Sequence, residues 1–248
     1  MRLAVISLPA RADRRARFMA WNQRPGLEIA FKDGAVGADL DRAVLVAQNL
    51  LAGESEPFGA GSLGNALSHR QLWLEVRDAA APAFICEDDA CLRGDFAAQA
   101  MGLLSQSAPD WDIVFLGYNT NATVAVQTAD GLKTILYFDE SAKRAPDYFD
   151  AFAKLIAPAP SPLLCFQVWG TLCYALSPRG AARLLETCFP LSAAADVVMF
   201  GQNRTLKPFT IDGMINAALQ RAPINAYCAY PPLAVSANDA ADSDVVVR

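Results

Sequence analysis

In the stretch Phe84-Ile85-Cys86-Glu87-Asp88-Asp89-Ala90-Cys91-Leu92, three consecutive carboxylates follow directly on an apolar run of strand type. Two unit charges about 4 Å apart repel by roughly 4 kcal/mol at an effective dielectric near 20, so the triplet needs solvent, spreading or a cation. In an extended backbone Glu87 and Asp89 share one face and Asp88 takes the other, which lets the first and third share a cation. Oxygen-only ligands suit Mg²⁺ or Mn²⁺, a metal that completes its shell with water and substrate phosphates. An isolated acidic triplet is more often a solvated turn in which Asp89 caps a neighbour; the apolar strand in front of this one, in an α/β alternation, brings the two readings nearer to even.

Further groups could do chemistry. The segment from Phe58 to Trp73, "FGAGSLGNALSHRQLW", contains a literal GxGxxG at Gly59, Gly61 and Gly64. That pattern signals a dinucleotide site only where it joins a strand to a helix, and "LLAGESEP" before it is no strand. It reads as a loop whose amides enter a helix, either against a ligand or simply before a core helix. His69, the chain's one histidine, is a candidate base or phosphate donor, although a lone helical histidine is more often structural. Arg11, Asp13 and Arg14 either receive a nucleotide at a strand end or form an exposed helix face. Asp196 and Asp212 are the candidate catalytic carboxylates; Asp212, in "PFTIDGMINAALQR", is equally placed to serve as a helix cap.

These residues need a scaffold. Strands are expected at Leu3 to Leu8, Leu27 to Asp33, Ala83 to Asp89, Asp112 to Tyr118 and Gly170 to Ser177. Helices are expected to begin near Arg11, Asp39, Leu63, Asp95 and Pro178, the last with Ser177 as N-cap. Such alternation describes an α/β fold, a mixed, mostly parallel sheet flanked by helices, with ligands at the carboxyl ends of its strands. Ser7, Asp33 and Gly117 lie at such ends and are candidate donor contacts. Residues 1–237 read as one domain with an irregular insertion or lid at 119–162, including a hairpin around Asp130-Gly131. Residues 238–248 read as a poorly ordered tail.

With 248 residues, 53% apolar and 19% charged, the chain can fill a sizeable core. A net charge of -5 without any Lys/Arg run argues against nucleic acid as partner. Six cysteines lack a CxxC pair, which disfavours zinc and fits buried thiols in a reducing cytoplasm. No run approaches the roughly 20 apolar residues of a membrane span, which leaves peripheral contact with the inner face of the cytoplasmic membrane open.

Taken in order, "VISLPARADRRARF", "GSLGNALSHRQLW", "FICEDDACLRGDF", "WDIVFLG", "GTLCYALSPRGAARLL", "TIDGMINAAL" and "YPPLAV" resemble glycosyltransferase family 25. That group includes lipopolysaccharide and lipooligosaccharide glycosyltransferases and collagen galactosyltransferases. The resemblance implies a GT-A type, Rossmann-like fold, a UDP-hexose donor, a glycan or glycolipid acceptor, inversion, and a DxD-like motif holding Mn²⁺ or Mg²⁺. Carried over by residue, Glu87, Asp88 and Asp89 match the acidic motif, with Asp89 favoured for the metal and Asp88 for the metal or ribose. Ser68 and His69 match the Ser-His pair, and Gly170 and Thr171 the Gly-Thr pair. Asn65 stands where many members carry cysteine, and the late acidic element matches Asp212 better than Asp196. The alternatives are a catalytically silent member acting as a binding module and an NAD(P)-dependent Rossmann oxidoreductase.

Overall fold

Along β1 (Arg2–Ser7) the side chains alternate between two apolar interiors, Leu3 and Val5 entering one and Ile6 the other. The same period of two runs through β3 (Ala83–Glu87), where Phe84 and Cys86 oppose Ile85. A strand buried on both faces needs helices on both, and the computed structural model, which describes residues 1–128, 130–239 and 242–244, supplies them. On one face α1 (Ala12–Asn22) contributes Phe18 and α4 (Phe96–Gln106) contributes Phe96, Ala100 and Leu103. On the other lie α2 (Arg42–Ala47), α3 (Ala60–Arg77), α6 (Pro178–Cys188) and α7 (Ile211–Arg221). Fully burying a Leu- or Phe-sized side chain contributes about 1.5–3 kcal/mol, so these two interiors dominate the folding energy.

The remaining strands are β2 (Glu28–Asp33), β4 (Cys91–Leu92), β5 (Ile113–Gly117), β6 (Val124–Gln127), β7 (Lys133–Leu136), β8 (Ser161–Gln167), β9 (Cys173–Leu176), β12 (Ala226–Tyr230) and β13 (Ala234–Val235), with β10 (Val197–Met199) and β11 (Arg204–Leu206) forming a separate ribbon. The main sheet has the order β2-β1-β3-β9-β5-β12-β8-β6-β7. Strand β1 pairs in parallel with β2 and β3, and β5 with β12. Between them β9 runs antiparallel to both β3 and β5. The sheet is therefore mixed, as expected, with its parallel pairings at β2-β1-β3 and β5-β12 and antiparallel pairings elsewhere along the order. Because Cys173 pairs with Cys86, the loop just ahead of β9 reaches the edge where β1, β3 and β5 end.

Helix starts follow local chemistry. Ser177 caps α6 by accepting from Gly180 N, with Pro178 at the first position, and Thr210 caps α7. The helix expected at Asp39 is a 3₁₀ turn, Gly37–Asp39, followed by α2 capped by Asp41. Strand β3 stops at Glu87, and Asp88 and Asp89 form a turn closed by Ala90 N donating to Glu87 O. The expectation that Glu87 and Asp89 share a face through strand pleating is overturned: pleating ends one residue too early. The region 119–162 contains the β6–β7 hairpin, α5 (Tyr148–Phe152) and the start of β8. Of the 238–248 tail, residues 240, 241 and 245–248 lie outside the described residues.

The GxGxxG glycines sit at and just inside the start of α3, with no strand before them. A Cβ on Gly64 would lie 2.5 Å from Ala35 O, and one on Gly37 would lie 1.9 Å from Ala60 O. The pattern records close packing of α3 on the 34–37 loop, which removes the basis for the oxidoreductase alternative. Gly64→Ala should destabilise by about 2 kcal/mol and lower Tm by roughly 4–8 °C. Gly102→Ala, in α4 with nothing within 4 Å, should leave Tm unchanged or slightly raised in the same thermal melt.

Candidate active site

The carboxyl edge of the sheet opens into a cleft of about 630 Å³. Ser7 at the end of β1, the acidic triplet after β3, and Gly170 and Thr171 before β9 line it. The N-terminal half of α3 adds Asn65 and Ser68, the first turn of α7 adds Asp212, and α1 adds Arg14 and Arg17. The topology brings each there: parallel strands end together, and the reversed β9 returns its leading loop to the same edge.

Glu87 continues the Ile85 side of β3, so its carboxylate turns toward α3. There Oε1 accepts from Asn65 Nδ2 (3.1 Å), His69 Nε2 (3.0 Å) and Thr171 Oγ1 (2.6 Å). His69 Nδ1 lies 2.7 Å from the Tyr174 hydroxyl, which in turn accepts from Trp73 Nε1 at 2.8 Å. Indole N–H can only donate and the Glu87 carboxylate can only accept, so Nε2 carries the hydrogen it shares with Glu87, and the phenol joins Trp73 to Nδ1. Burial pushes the Glu87 carboxyl up, but His69, through its hydrogen bond and its charge when protonated, and then the hydrogen bonds from Thr171 and Asn65, outweigh it and hold the group at about 2. His69 is 0% exposed with both ring nitrogens engaged. The expected base or phosphate donor is replaced by a residue that positions Glu87.

Asp88 is buried, hydrogen-bonded to Ser7, and paired with Arg14 Nη2 at 2.7 Å. Burial still raises its carboxyl above the ordinary value. Asp89 has no such arrangement. Its Oδ1 is buried and accepts no hydrogen bond, with Arg14 3.8 Å away. Burial first, and then the neighbouring charges of Glu87 and Asp88, push its carboxyl up to about 7. Among the described residues no group of three or more His, Cys, Asp or Glu is arranged to hold a metal ion. The donor set fits a hard cation that takes one or two carboxylate oxygens here and the rest of its shell from phosphate and water.

The buried side-chain atoms that meet no hydrogen-bond partner among the described residues are Arg14 Nε, Arg17 Nε, Asp89 Oδ1, Trp169 Nε1 and Asn238 Nδ2. All belong to residues lining this cleft. Folded proteins satisfy nearly all such groups, so their concentration in one place marks where a polar ligand belongs.

Asp212, in the first turn of α7, accepts from Gly170 N (2.8 Å) and Gly213 N (2.9 Å) and from the Thr210 hydroxyl. Gly170 has φ +83, and a Cβ there would sit 2.5 Å from Asn119 Oδ1, so glycine is required where the loop meets Asp212. Ser68 lines the cleft but ties structure together, donating to Gly64 O and accepting from Ala35 N. Arg11 pairs with Asp13, Asp242 and Asp244.

Three candidates stand elsewhere. Asp33 is exposed and paired with Arg15, because β2 is the sheet's edge strand. Gly117 packs against Ala234, whose Cβ a side chain there would meet at 2.6 Å. Asp196 is exposed and paired with Lys207 at 3.0 Å, outside the cleft. Conversely, Asn65, Trp73, Tyr174, Trp169 and Arg17 escaped the sequence reading as site residues. Spacing held a clue: Asn65, His69 and Trp73 recur every fourth residue on α3, and Arg11, Arg14 and Arg17 every third along α1.

Tyr174→Phe should cost about 2 kcal/mol by stranding Trp73 Nε1 and His69 Nδ1, read as a lower midpoint in urea. Asp89 should make stability depend on pH. Its folded value of about 7 exceeds its unfolded value, so the stability it contributes is present at low pH and lost as pH rises through 7. In metal-free buffer Asp89→Asn should therefore melt higher than the parent at pH 8, and the gap should close as pH approaches 4; a gap independent of pH would contradict the assignment.

A family model described as "Glycosyltransferase family 25 (LPS biosynthesis protein)" matches residues 1–199, leaving Asp212 beyond the matched part. Procollagen galactosyltransferase 2 of Homo sapiens is 28% identical over 124 residues, covering 46% of this chain and 20% of the relative. Its counterpart in Mus musculus is 27% identical over the same length and shares. The chain thus spans about a fifth of the length of the curated relatives it matches. With a mixed sheet flanked by helices, an acidic turn at the carboxyl edge and a match over four-fifths of its length, the chain belongs to glycosyltransferase family 25.

Proposed function

We propose that this chain transfers a hexose, galactose or glucose, from a UDP-sugar to a hydroxyl of a cell-surface glycan or glycolipid such as lipopolysaccharide, with inversion. One observation carries the reading: among the described residues, the buried polar atoms left without hydrogen bonds gather in a single cleft whose lining holds arginines, a carboxylate with one oxygen bare of hydrogen bonds and a second carboxylate on another element. The family description supports a surface glycan as acceptor, and the relatives named as galactosyltransferases support a hexose.

In this scheme Arg14 and Arg17 face the donor's phosphates, and Arg14 also orients Asp88. Mn²⁺ or Mg²⁺ held by Asp89, with Asp88 beside it, would supply Lewis-acid stabilisation of the leaving diphosphate. Thr171 and the polar chain behind it fix Glu87 at the foot of the cleft. Asp212 takes the proton of the acceptor hydroxyl as its oxygen attacks the anomeric carbon; the bond from that carbon to the diphosphate breaks, and the diphosphate leaves with the electron pair. The amide hydrogen bonds to Asp212 orient its carboxylate, which keeps further lone pairs for that proton. Six buried free thiols are compatible with the cytoplasm, at the inner face of the membrane. No helix among the described residues is long and apolar enough to cross it.

A thermal-shift panel of UDP-glucose, UDP-galactose, UDP-N-acetylhexosamines and GDP-sugars, each with and without Mn²⁺, should show stabilisation by a UDP-sugar that requires the metal; no metal-dependent response to any of them would defeat the reading. Asp212→Asn should lower transfer by about 10²–10⁴-fold while sparing UDP affinity. Loss of UDP binding by a folded Asp212→Asn protein would instead assign Asp212 to the donor.

A further inference from the structure

Three guanidinium groups spaced three residues apart, Arg11, Arg14 and Arg17, converge beside the cleft on two carboxylates from the far end of the chain. Arg11 Nη1 lies 2.7 Å from Asp244 Oδ2, and Arg14 Nη1 lies 3.1 Å from the same oxygen. Arg17 Nη2 reaches Asp242 Oδ2 at 2.5 Å, and Arg11 also pairs with Asp242. Arg14 bridges inward as well, to Asp88. Its side chain is 10% exposed, and its Nε, like that of Arg17, is buried and meets no hydrogen-bond partner among the described residues. Asp242, Ser243 and Asp244 themselves line the cleft, so the segment occupies space that a ligand would need.

The guanidinium fork binds carboxylate and phosphate alike, and two anionic groups held by three arginines present the charge pattern of a diphosphate. Building on the donor reading above, we propose that Arg17 completes an anion subsite with Arg11 and Arg14 for the donor diphosphate, and that Asp242 and Asp244 hold this subsite as an internal competitor. A competitor tethered to the same chain acts at an effective concentration set by its linker, whatever the protein concentration. The apparent donor affinity is then the intrinsic affinity scaled by the fraction of molecules whose strap is released. Entry of a diphosphate and departure of the strap are one exchange on the same three arginines.

The test compares the full chain with its Asp242→Asn/Asp244→Asn variant by calorimetry, with inorganic pyrophosphate in metal-free, low-salt buffer and, separately, with UDP and Mn²⁺. If the strap is closed in about nine molecules of ten, the variant binds pyrophosphate about tenfold more tightly than the parent. Adding Arg17→Gln to the variant should weaken pyrophosphate binding again, and should leave the melting temperature close to that of the variant. Equal or weaker pyrophosphate binding by the double variant, or none by either protein, overturns the proposal. Pyrophosphate binding in the expected order without any UDP binding would keep the subsite and overturn the donor reading. UDP binding equally tight in both proteins would keep the donor reading and overturn the competitor.

Discussion

Repulsion among Glu87, Asp88 and Asp89 is the constraint around which the cleft is arranged. Each charge meets a different fate because β3 ends after the first of them. Glu87 keeps the strand's pleat and faces α3, where three donors converge on one oxygen. Asp88, in the turn, swings toward α1 and Arg14. Asp89 is left with burial, two like charges and Arg14 no nearer than 3.8 Å, and its carboxyl is pushed up to about 7. The arrangement spends fixed donors on two charges so that the third is reserved for something brought from outside.

Behind Glu87 the polar chain through His69, Tyr174 and Trp73 crosses an otherwise apolar interior. Its ends are fixed, a donor at the indole and an acceptor at the carboxylate, and each buried group between them is hydrogen-bonded. Half of such a chain would be worse than none, since a buried group without its partner costs about 1–3 kcal/mol. His69 thus matters to the site through the carboxylate it steadies.

How much of this was legible in the sequence depended on whether the cause was local. The strands at Leu3, Leu27 and Asp112, the capped helix at Pro178 and the hairpin at Asp130-Gly131 follow from periodicity, N-cap chemistry and turn residues, and all appear. The early end of β3 does not, because it is set by Leu172 O and the turn at Ala90 rather than by residue type. The Pro-rich start of β8 hid a strand: Pro162 has a strand partner only in β12, and its other side faces no strand, where a missing N–H is tolerated. At the site, the acidic triplet, Arg14, Gly170, Thr171 and Asp212 were visible as types in order, and the cleft gathers them. Asp196, Asp33 and Gly117 were equally good by type and fail on placement alone, while Tyr174 and Trp169 gave no polar signal because aromatic residues in strands and loops read first as core.

One topological feature carries a temporal consequence. Strand β12, close to the end of the chain, lies between β5 and β8 in the middle of the sheet rather than at its rim. As the chain leaves the ribosome, the part containing β1, β3, β9 and β5 and the part containing β8, β6 and β7 exist before any strand joins them. Each therefore waits with an open inner edge until Ala226–Tyr230 is synthesised and slots between them, so the two parts of the sheet become one only after β1, β3, β9 and the helices α3 and α7 that line the cleft have been made.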